Sequence, residues 1–164
     1  MKTPPTLLSK NCVLSFIGEE DWEVLHEIMK DDGVKQFLPD FYDIIKLKED
    51  FLSVMNSFAV LCDKDESIIW GIYLNENLIG FIGLLDIPQN TTIFYSVDKK
   101  FRCKGLAKES VCAVIDYIKK MNLSDNIYSE VFVDNVASIA VLKNNGFIPT
   151  HRIENKIAFF RRIK

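Results

Sequence analysis

One short segment of the chain combines residue types suited to binding an anion, and it stands where a predicted strand meets a predicted helix. A helix N-terminus carries unpaired N–H groups and a partial positive charge. Gly105 has no Cβ to hold a ligand away from these amides, and Arg102 and Lys104 add two cations. The segment therefore predicts a diphosphate site, although a plain turn with solvated cations also fits these six residues: Arg102, Cys103, Lys104, Gly105, Leu106 and Ala107.

Two common phosphate-binding motifs do not match this segment. The dinucleotide-binding motif needs G-x-G-x-x-G, and only one glycine is present between residues 102 and 107. The P-loop needs a Gly-Lys pair followed by Ser or Thr, and no such pair follows Gly105. A nucleotide-binding domain of either class is therefore disfavoured.

The composition is that of an ordinary globular domain. The chain has 164 residues, of which 48% are hydrophobic and 26% charged, so one domain with a normal core is expected, over residues 8–162. The net charge is −3 and the pI near 5.4. Since no overall positive field attracts nucleic acid, we expect no nucleic-acid partner.

The cysteines and the N-terminal segment exclude other classes. The four cysteines form no C-x-x-C pair, and only two histidines are present, so no metal site is expected. Residues 1–16 contain no long apolar run, which argues against a signal peptide or a membrane span. We expect a cytoplasmic protein without membrane association.

Apolar periodicity predicts seven strands and four helices on one mixed sheet. Residues 34–43 are predicted to be an aromatic loop that Pro39 interrupts, after a first helix that ends at Gly33. The predicted strands cover residues 11–17, 67–74, 78–87, 91–98, 126–133, 147–153 and 156–163. The predicted helices cover residues 18–33, 47–62, a stretch after Ala107, and 134–146.

A second motif lies some thirty residues after the first, in a short predicted helix that Asn135 caps, that carries Ser138 in its first turn and that closes on Gly146 and Phe147. With residues 102–107, this order and spacing resembles the GNAT acyl-CoA N-acyltransferases, most closely the branch that acetylates the N-termini of ribosomal proteins. The resemblance covers nearly the whole chain. It implies the α/β (α+β) GNAT fold, with a mixed, mostly antiparallel sheet of six to seven strands splayed at the cofactor site and about four helices.

The resemblance also implies a donor, acetyl-CoA, and roles for matching residues. The backbone amides of residues 102–107 would bind its pyrophosphate, and the strand edge at Val97 would pair with its pantetheine arm. The Val97 amide would stabilise the oxyanion, and Asn135 would contact the cofactor arm. Many relatives have a tyrosine that protonates the departing thiolate at the position of Leu142, which cannot donate a proton. The resemblance therefore makes Ser138 the candidate for this general acid, and Ser138 would also contact the cofactor.

The general base departs from the family pattern. Thr92 stands about where relatives carry a glutamate, and Asp86, Glu130 or an acceptor-binding loop are alternative sources of a carboxylate. Tyr95 alternates with Thr92 along the strand and is expected on the opposite face. Holding an α-amino group neutral at pH 7 costs about 1 kcal/mol, whereas a lysine costs roughly 4–5 kcal/mol. A site without a strong base therefore favours an α-amine.

The acceptor is expected opposite the cofactor, where Phe37, Phe41 and Tyr42 are candidates to line its groove. The predicted activity is acetyl transfer to a primary amine by direct attack, with a protein N-terminal α-amine as one acceptor. Polyamines, amino acids and antibiotic amines are alternative acceptors, and a non-catalytic acyl-CoA-binding module is an alternative function. The chain is expected to be a monomer or a homodimer.

Overall fold

The computed structural model describes residues 3–164, and their strands form one eight-stranded sheet in the order β1-β2-β3-β4-β5-β6-β8-β7. All neighbouring strands are antiparallel except β5 and β6, which confirms the predicted mixed, mostly antiparallel sheet. The count exceeds the prediction because β1 has only two residues, too few for a recognisable pattern. The strands are β1 (Leu7–Leu8), β2 (Val13–Ser15), β3 (Ile68–Leu74), β4 (Asn77–Leu85), β5 (Thr92–Val97), β6 (Asn126–Phe132), β7 (Ile148–Ile153) and β8 (Lys156–Arg162).

Six α-helices accompany the sheet within the described residues, two more than predicted. The helices are α1 (Trp22–Met29), α2 (Asp32–Phe37), α3 (Pro39–Ile44), α4 (Lys48–Asp63), α5 (Leu106–Met121) and α6 (Val136–Asn144). None of the helices in residues 3–164 has the length and apolar character that crossing a bilayer requires.

The segment predicted to be an aromatic loop is helical, and the prediction there was wrong. The Asp31 side chain accepts a hydrogen bond from the Gly33 N–H, which caps α2 and places Gly33 inside a helix instead of ending one. Pro39 begins α3, because its missing N–H and fixed φ suit the first helical position. Two short helices therefore cover one face of the sheet.

Apolar side chains form a cluster on each face of the sheet. One cluster contains Trp70 and Ile82 and is packed by α5 and α6. The other contains Phe81 and Phe94 and is packed by α1, α2 and α4. The alternation along β4 and β5 thus sends neighbouring side chains to opposite faces.

The parallel pair β5 and β6 separates almost as soon as it forms. Its register contains one residue pair, Thr92 with Tyr128. The Ser129 hydroxyl donates to the Ile93 carbonyl over 3.3 Å, and beyond it the strands diverge. This confirms the predicted splay and leaves the edge of β5 without a strand partner near its carboxyl end.

The hydrogen-bond register shows which backbone groups face this gap. The Asp98 N–H donates to the Ile79 carbonyl over 2.8 Å, so these two residues are a hydrogen-bonded antiparallel pair. Alternate residues of β5 bond to β4 in the same way, and the residues between them point their N–H and C=O groups to the other edge. The backbone groups of Tyr95 and Val97 therefore face the gap.

Candidate active site

The start of α5 presents a row of unused backbone donors. The first helical hydrogen bond runs from the Glu109 N–H to the Gly105 carbonyl, over 3.1 Å. Within residues 3–164, none of the N–H groups of residues 103–108 donates to a protein acceptor. Gly105 has a φ of +78°, and a Cβ placed on it would meet no atom within 4 Å. Six successive amides thus lack a protein acceptor, and the space beside Gly105 is open, as an anion site requires.

The Arg102 side chain points away from this row. Its Nε donates to the Val97 carbonyl over 2.9 Å, and its Nη2 donates to Asp31 Oδ1 over 2.8 Å. Burial raises the pKa of the Asp31 carboxyl, but hydrogen bonds from Arg102 and from the Gly33 amide outweigh burial and leave this pKa below its usual value. The guanidinium therefore links β5 to the segment between α1 and α2, and the Arg102 backbone N–H also has a protein acceptor, the Lys99 carbonyl, over 3.5 Å.

The remaining loop side chains surround the amides without covering them. Lys104 is exposed, with its Nζ 5.3 Å from the ring centroid of Phe101. Cys103 is exposed and has a φ of +61°. Leu106 is buried in the core, so only its amide is accessible, and Ala107 lines the groove described next. Lys104 is the one cation of the hexapeptide left at the mouth of the site.

A groove of about 250 Å³ occupies the gap between β5 and β6 and continues to the start of α5. The Val97 N–H faces it, as the register requires. Its walls come from α2, β5, β6, α6 and the start of α5, and include Phe37, Tyr95, Val97, Ala107, Glu130, Phe132, Asn135 and Ser138. The loop amides and the second sequence motif therefore belong to one continuous site.

Ser138 lies on the first turn of α6, where two contacts hold it. The Asn135 side-chain oxygen accepts a hydrogen bond from the Ser138 N–H over 3.2 Å, so Asn135 caps the helix as predicted. The Ser138 Oγ lies 2.8 Å from the Tyr95 hydroxyl. Burial raises the pKa of Tyr95 to about 12, against the opposing effect of the Ser138 hydrogen bond. The phenol is therefore neutral at physiological pH.

Only one of the alternative carboxylates lies at the groove. Glu130 lines it from β6 and is exposed, with Oε2 4.0 Å from Lys156 Nζ. Asp86 is exposed in a separate depression beside Pro88. The Thr92 hydroxyl donates to a local backbone carbonyl, that of Asn90. Within the described residues, Glu130 is thus the one carboxylate that lines the groove.

The three aromatic residues predicted to line the acceptor site have different positions. Phe37 lines the groove, with its ring centroid 6.0 Å from that of Phe132. Phe41 packs instead in the core, with ring centroids 5.6 Å from Phe81 and 4.8 Å from Phe94. The lining role therefore stays a prediction for Phe37, and the structure gives no support for it at Phe41.

Tyr42 is also removed from the groove lining. It is partly buried in the apolar cluster beside α1 and α2, and Lys35 Nζ lies 5.6 Å from its ring centroid. A hydrogen bond of 3.0 Å between the Gln36 side chain and Asp134 joins α2 to the end of β6. Of these residues, Phe37 lines the groove from α2, and Tyr42 does not.

Neither a metal centre nor a covalent nucleophile is found at the groove. Among residues 3–164, no group of three or more potential ligand side chains is placed to hold a metal ion. Cys12 and Cys62 are buried, Cys103 and Cys112 are exposed, and none of the four lines the groove.

The free amides at the start of α5 and the splayed strands β5 and β6 form the kind of site expected of acyl-CoA-dependent acyltransferases. The two sequence motifs, at residues 102–107 and at Asn135 and Ser138, imply the same class. Residues 12–148 match the family model described as "Acetyltransferase (GNAT) domain". The chain therefore belongs to the GNAT acetyltransferase family, which confirms the resemblance.

Several solved structures and one curated protein are similar to the chain. The RimL ribosomal L7/L12 alpha-N-protein acetyltransferase in complex with coenzyme A has a TM-score of 0.86 at 18% identity, covering 98% of each chain. The microcin C7 self immunity acetyltransferase MccE, with acetyl-CoA and AMP, has a TM-score of 0.74 at 14% identity, covering 93% of each. The probable N-acetyltransferase YjcK of Bacillus subtilis (strain 168) is 33% identical over 91 residues. That match spans 52% of this chain and 50% of the length of YjcK, so this chain matches only half of that protein.

Proposed function

We propose that the protein transfers an acetyl group from acetyl-CoA to a primary amine, with the α-amine of a protein N-terminus as the acceptor. One observation carries this proposal: the row of free amides at residues 103–108 adjoins, through Ala107, the groove that the Val97 N–H faces and that Ser138 lines. A diphosphate on the amides would direct the rest of an extended cofactor along the unpaired edge of β5. The structural neighbours that contain coenzyme A or acetyl-CoA support this donor.

Two groups of the chain act on the thioester in this proposal. The Val97 N–H donates to the carbonyl oxygen as negative charge develops there, an interaction typically worth about 10²–10³ in rate. As the new C–N bond forms and the C–S bond breaks, Ser138 supplies a proton to the departing sulfur. General acid catalysis of this kind contributes about 10²–10⁴ in rate.

The amine must reach the carbonyl in its neutral form, and Glu130 is the candidate to receive its proton. Glu130 is exposed and near Lys156, so its carboxylate is solvated and partly neutralised. The groove thus has no buried carboxylate among its lining residues. Because neutralising an α-amine at pH 7 costs about 1 kcal/mol and a lysine roughly 4–5 kcal/mol, the site favours an α-amine. The ribosomal-protein acetyltransferases among the structural neighbours support the same acceptor class.

The test is a thiol-release assay with acetyl-CoA and matched pairs of peptides. Each pair has one sequence containing an internal lysine, once with a free N-terminus and once with a blocked one. We expect release only with the free peptide, and a rate that rises with pH through the α-amine pKa of about 7.7–8. Mass spectrometry then locates the acetyl group, and Glu130→Gln tests whether the carboxylate contributes.

Other results of this assay would contradict the proposal in distinct ways. Release with both peptides of a pair would assign the activity to lysine side chains. Release only with polyamines, amino acids or antibiotic amines would assign it to small-molecule acceptors. Calorimetric binding of coenzyme A without acceptor-dependent release would identify a non-catalytic binding module. A burst of thiol without acceptor would indicate a covalent enzyme intermediate and contradict direct attack.

A further inference from the structure

Within residues 3–164, the hydroxyl of Tyr95 has two hydrogen-bond partners, both on Ser138. It lies 2.8 Å from the Ser138 Oγ, where either oxygen can be the donor, and it can also donate to the Ser138 carbonyl oxygen over 3.3 Å. The ring of Tyr95 leaves β5 on the face covered by α5 and α6 and packs against that cluster. The phenol thus reaches across the groove from the strand that carries Val97 to the helix that carries the proposed acid.

Distance and acidity both favour the phenol as donor to the Ser138 Oγ, because the competing acceptor, the Ser138 carbonyl, lies farther away at 3.3 Å. A phenol has an ordinary pKa near 10, far lower than that of an aliphatic alcohol, so the phenol is the better donor and the serine oxygen the better acceptor. Burial raises the pKa of Tyr95 to about 12, so the phenol keeps its proton over the whole physiological range. With Tyr95 donating, the Ser138 proton is left free to point elsewhere.

We propose that Tyr95 is a positioning residue for acetyl transfer: its phenol donates to Ser138 Oγ and so directs the serine proton toward the departing sulfur. The proposal rests on the acid role of Ser138 given above. The amine nitrogen forms the C–N bond, the C–S bond breaks, and the sulfur takes the Ser138 proton. The proton that the amine loses, through Glu130 and solvent, balances the one that Ser138 then recovers from solvent.

The same hydrogen bond has a second effect on the serine. As Ser138 shares its proton with sulfur, its Oγ gains negative charge, and a donated hydrogen bond stabilises that charge. A tyrosine that only filled space would need its ring and not its hydroxyl. Removing the hydroxyl alone therefore separates the two roles.

The experiment is a double-mutant cycle with Tyr95→Phe, Ser138→Ala and the double variant, measured by steady-state thiol release with acetyl-CoA. Tyr95→Phe should lower kcat about 10-fold, the effect of one hydrogen bond, with the KM for acetyl-CoA changed less than twofold. Ser138→Ala should lower kcat about 100-fold. The double variant should be no slower than Ser138→Ala, because Tyr95 acts only through the serine.

Tyr128→Phe is the matched control, since it removes a phenol from the neighbouring strand, where Tyr128 is exposed and packs against Phe160. It should leave kcat unchanged. Thermal unfolding of every variant sets the assay temperature at which all are folded.

Each alternative outcome assigns a different failure. Wild-type kcat in Tyr95→Phe, beside a slow Ser138→Ala, would overturn the positioning role and leave the proposed function intact. A further 10-fold loss in the double variant would mean that Tyr95 acts independently of Ser138, which also overturns it. Unchanged kcat in Ser138→Ala would remove the acid from the proposed function itself.

Discussion

The assignment of the cofactor diphosphate to the amides at the start of α5 is best tested at Gly105, because a second glycine of the chain has the same left-handed backbone conformation. Gly105 and Gly146 have φ values of +78° and +76°. An alanine in this left-handed region costs roughly 1–2 kcal/mol. At Gly146 the new Cβ would also meet Arg161 Nη1 at 2.8 Å, the end of a flexible side chain that can move away. Gly105→Ala and Gly146→Ala should therefore lose similar free energies of unfolding.

The two variants should differ in binding coenzyme A. The methyl group at residue 105 occupies the open space in front of the amides of residues 103–108. Loss of a single charge-assisted hydrogen bond costs about 1.5–3 kcal/mol, which corresponds to a Kd raised roughly 10- to 100-fold. Gly146→Ala should bind like the wild type, apart from its smaller folded fraction.

Calorimetry with coenzyme A, at a temperature where both variants are folded, measures this difference. Gly105→Asn adds a variant whose side chain tolerates a positive φ but still blocks the amides. Acetyl-pantetheine lacks the diphosphate, so its turnover should be the same in Gly105→Ala and Gly146→Ala. Equal coenzyme A affinities in these two variants would refute the assignment of the diphosphate to these amides.

Three further predictions concern other parts of the molecule. Val97→Pro should lower kcat about 100-fold, with circular dichroism unchanged, because the lost N–H faces the groove and not β4; an unchanged kcat would contradict the oxyanion role. Burial raises the pKa of the Glu109 carboxyl, but hydrogen bonds from Ser9 and Asn11 outweigh burial and lower that pKa. The ionised carboxylate therefore stabilises the folded state above the pKa that Glu109 has in the unfolded chain, and this stabilisation is lost as the pH falls through its pKa in the folded protein. Denaturant titrations should show that Glu109→Gln costs about 1–2 kcal/mol at pH 7 and less below about pH 4. Phe41→Leu should cost about 1 kcal/mol of stability without changing the acceptor KM, whereas Phe37→Leu should raise that KM; the reverse pattern in kinetics and unfolding would exchange their roles.

The sequence was sufficient to predict the parts of the site whose signals are local. Residues 102–107 and the Asn135–Ser138 pair stand at junctions between elements that apolar periodicity already predicts, so their positions follow from the chain order. The hairpin between β3 and β4 also has a local origin, because Asn75 and Glu76 both have the positive φ that a tight two-residue turn requires.

Contacts between distant residues could not be predicted in this way. Tyr95 and Ser138 are 43 residues apart, and Asp31 and Arg102 are 71 apart, so no local pattern encodes either pair. The alternation of side chains along the strand indicated the face of the sheet on which Tyr95 lies, but its hydrogen-bond partner, Ser138, depends on how α6 packs. The error at Pro39 was of another kind, since a proline can begin a helix as well as interrupt one.

The link between Arg102 and Asp31 restricts how this position can vary. The family pattern allows arginine or glutamine there, and a glutamine amide is able to donate to the Val97 carbonyl. A neutral side chain would nevertheless leave Asp31, whose side chain is only 12% exposed, without its cation. An uncompensated carboxylate in that setting is costly. Redesign of the first position of the motif in this chain must therefore change both residues together, although 71 positions separate them.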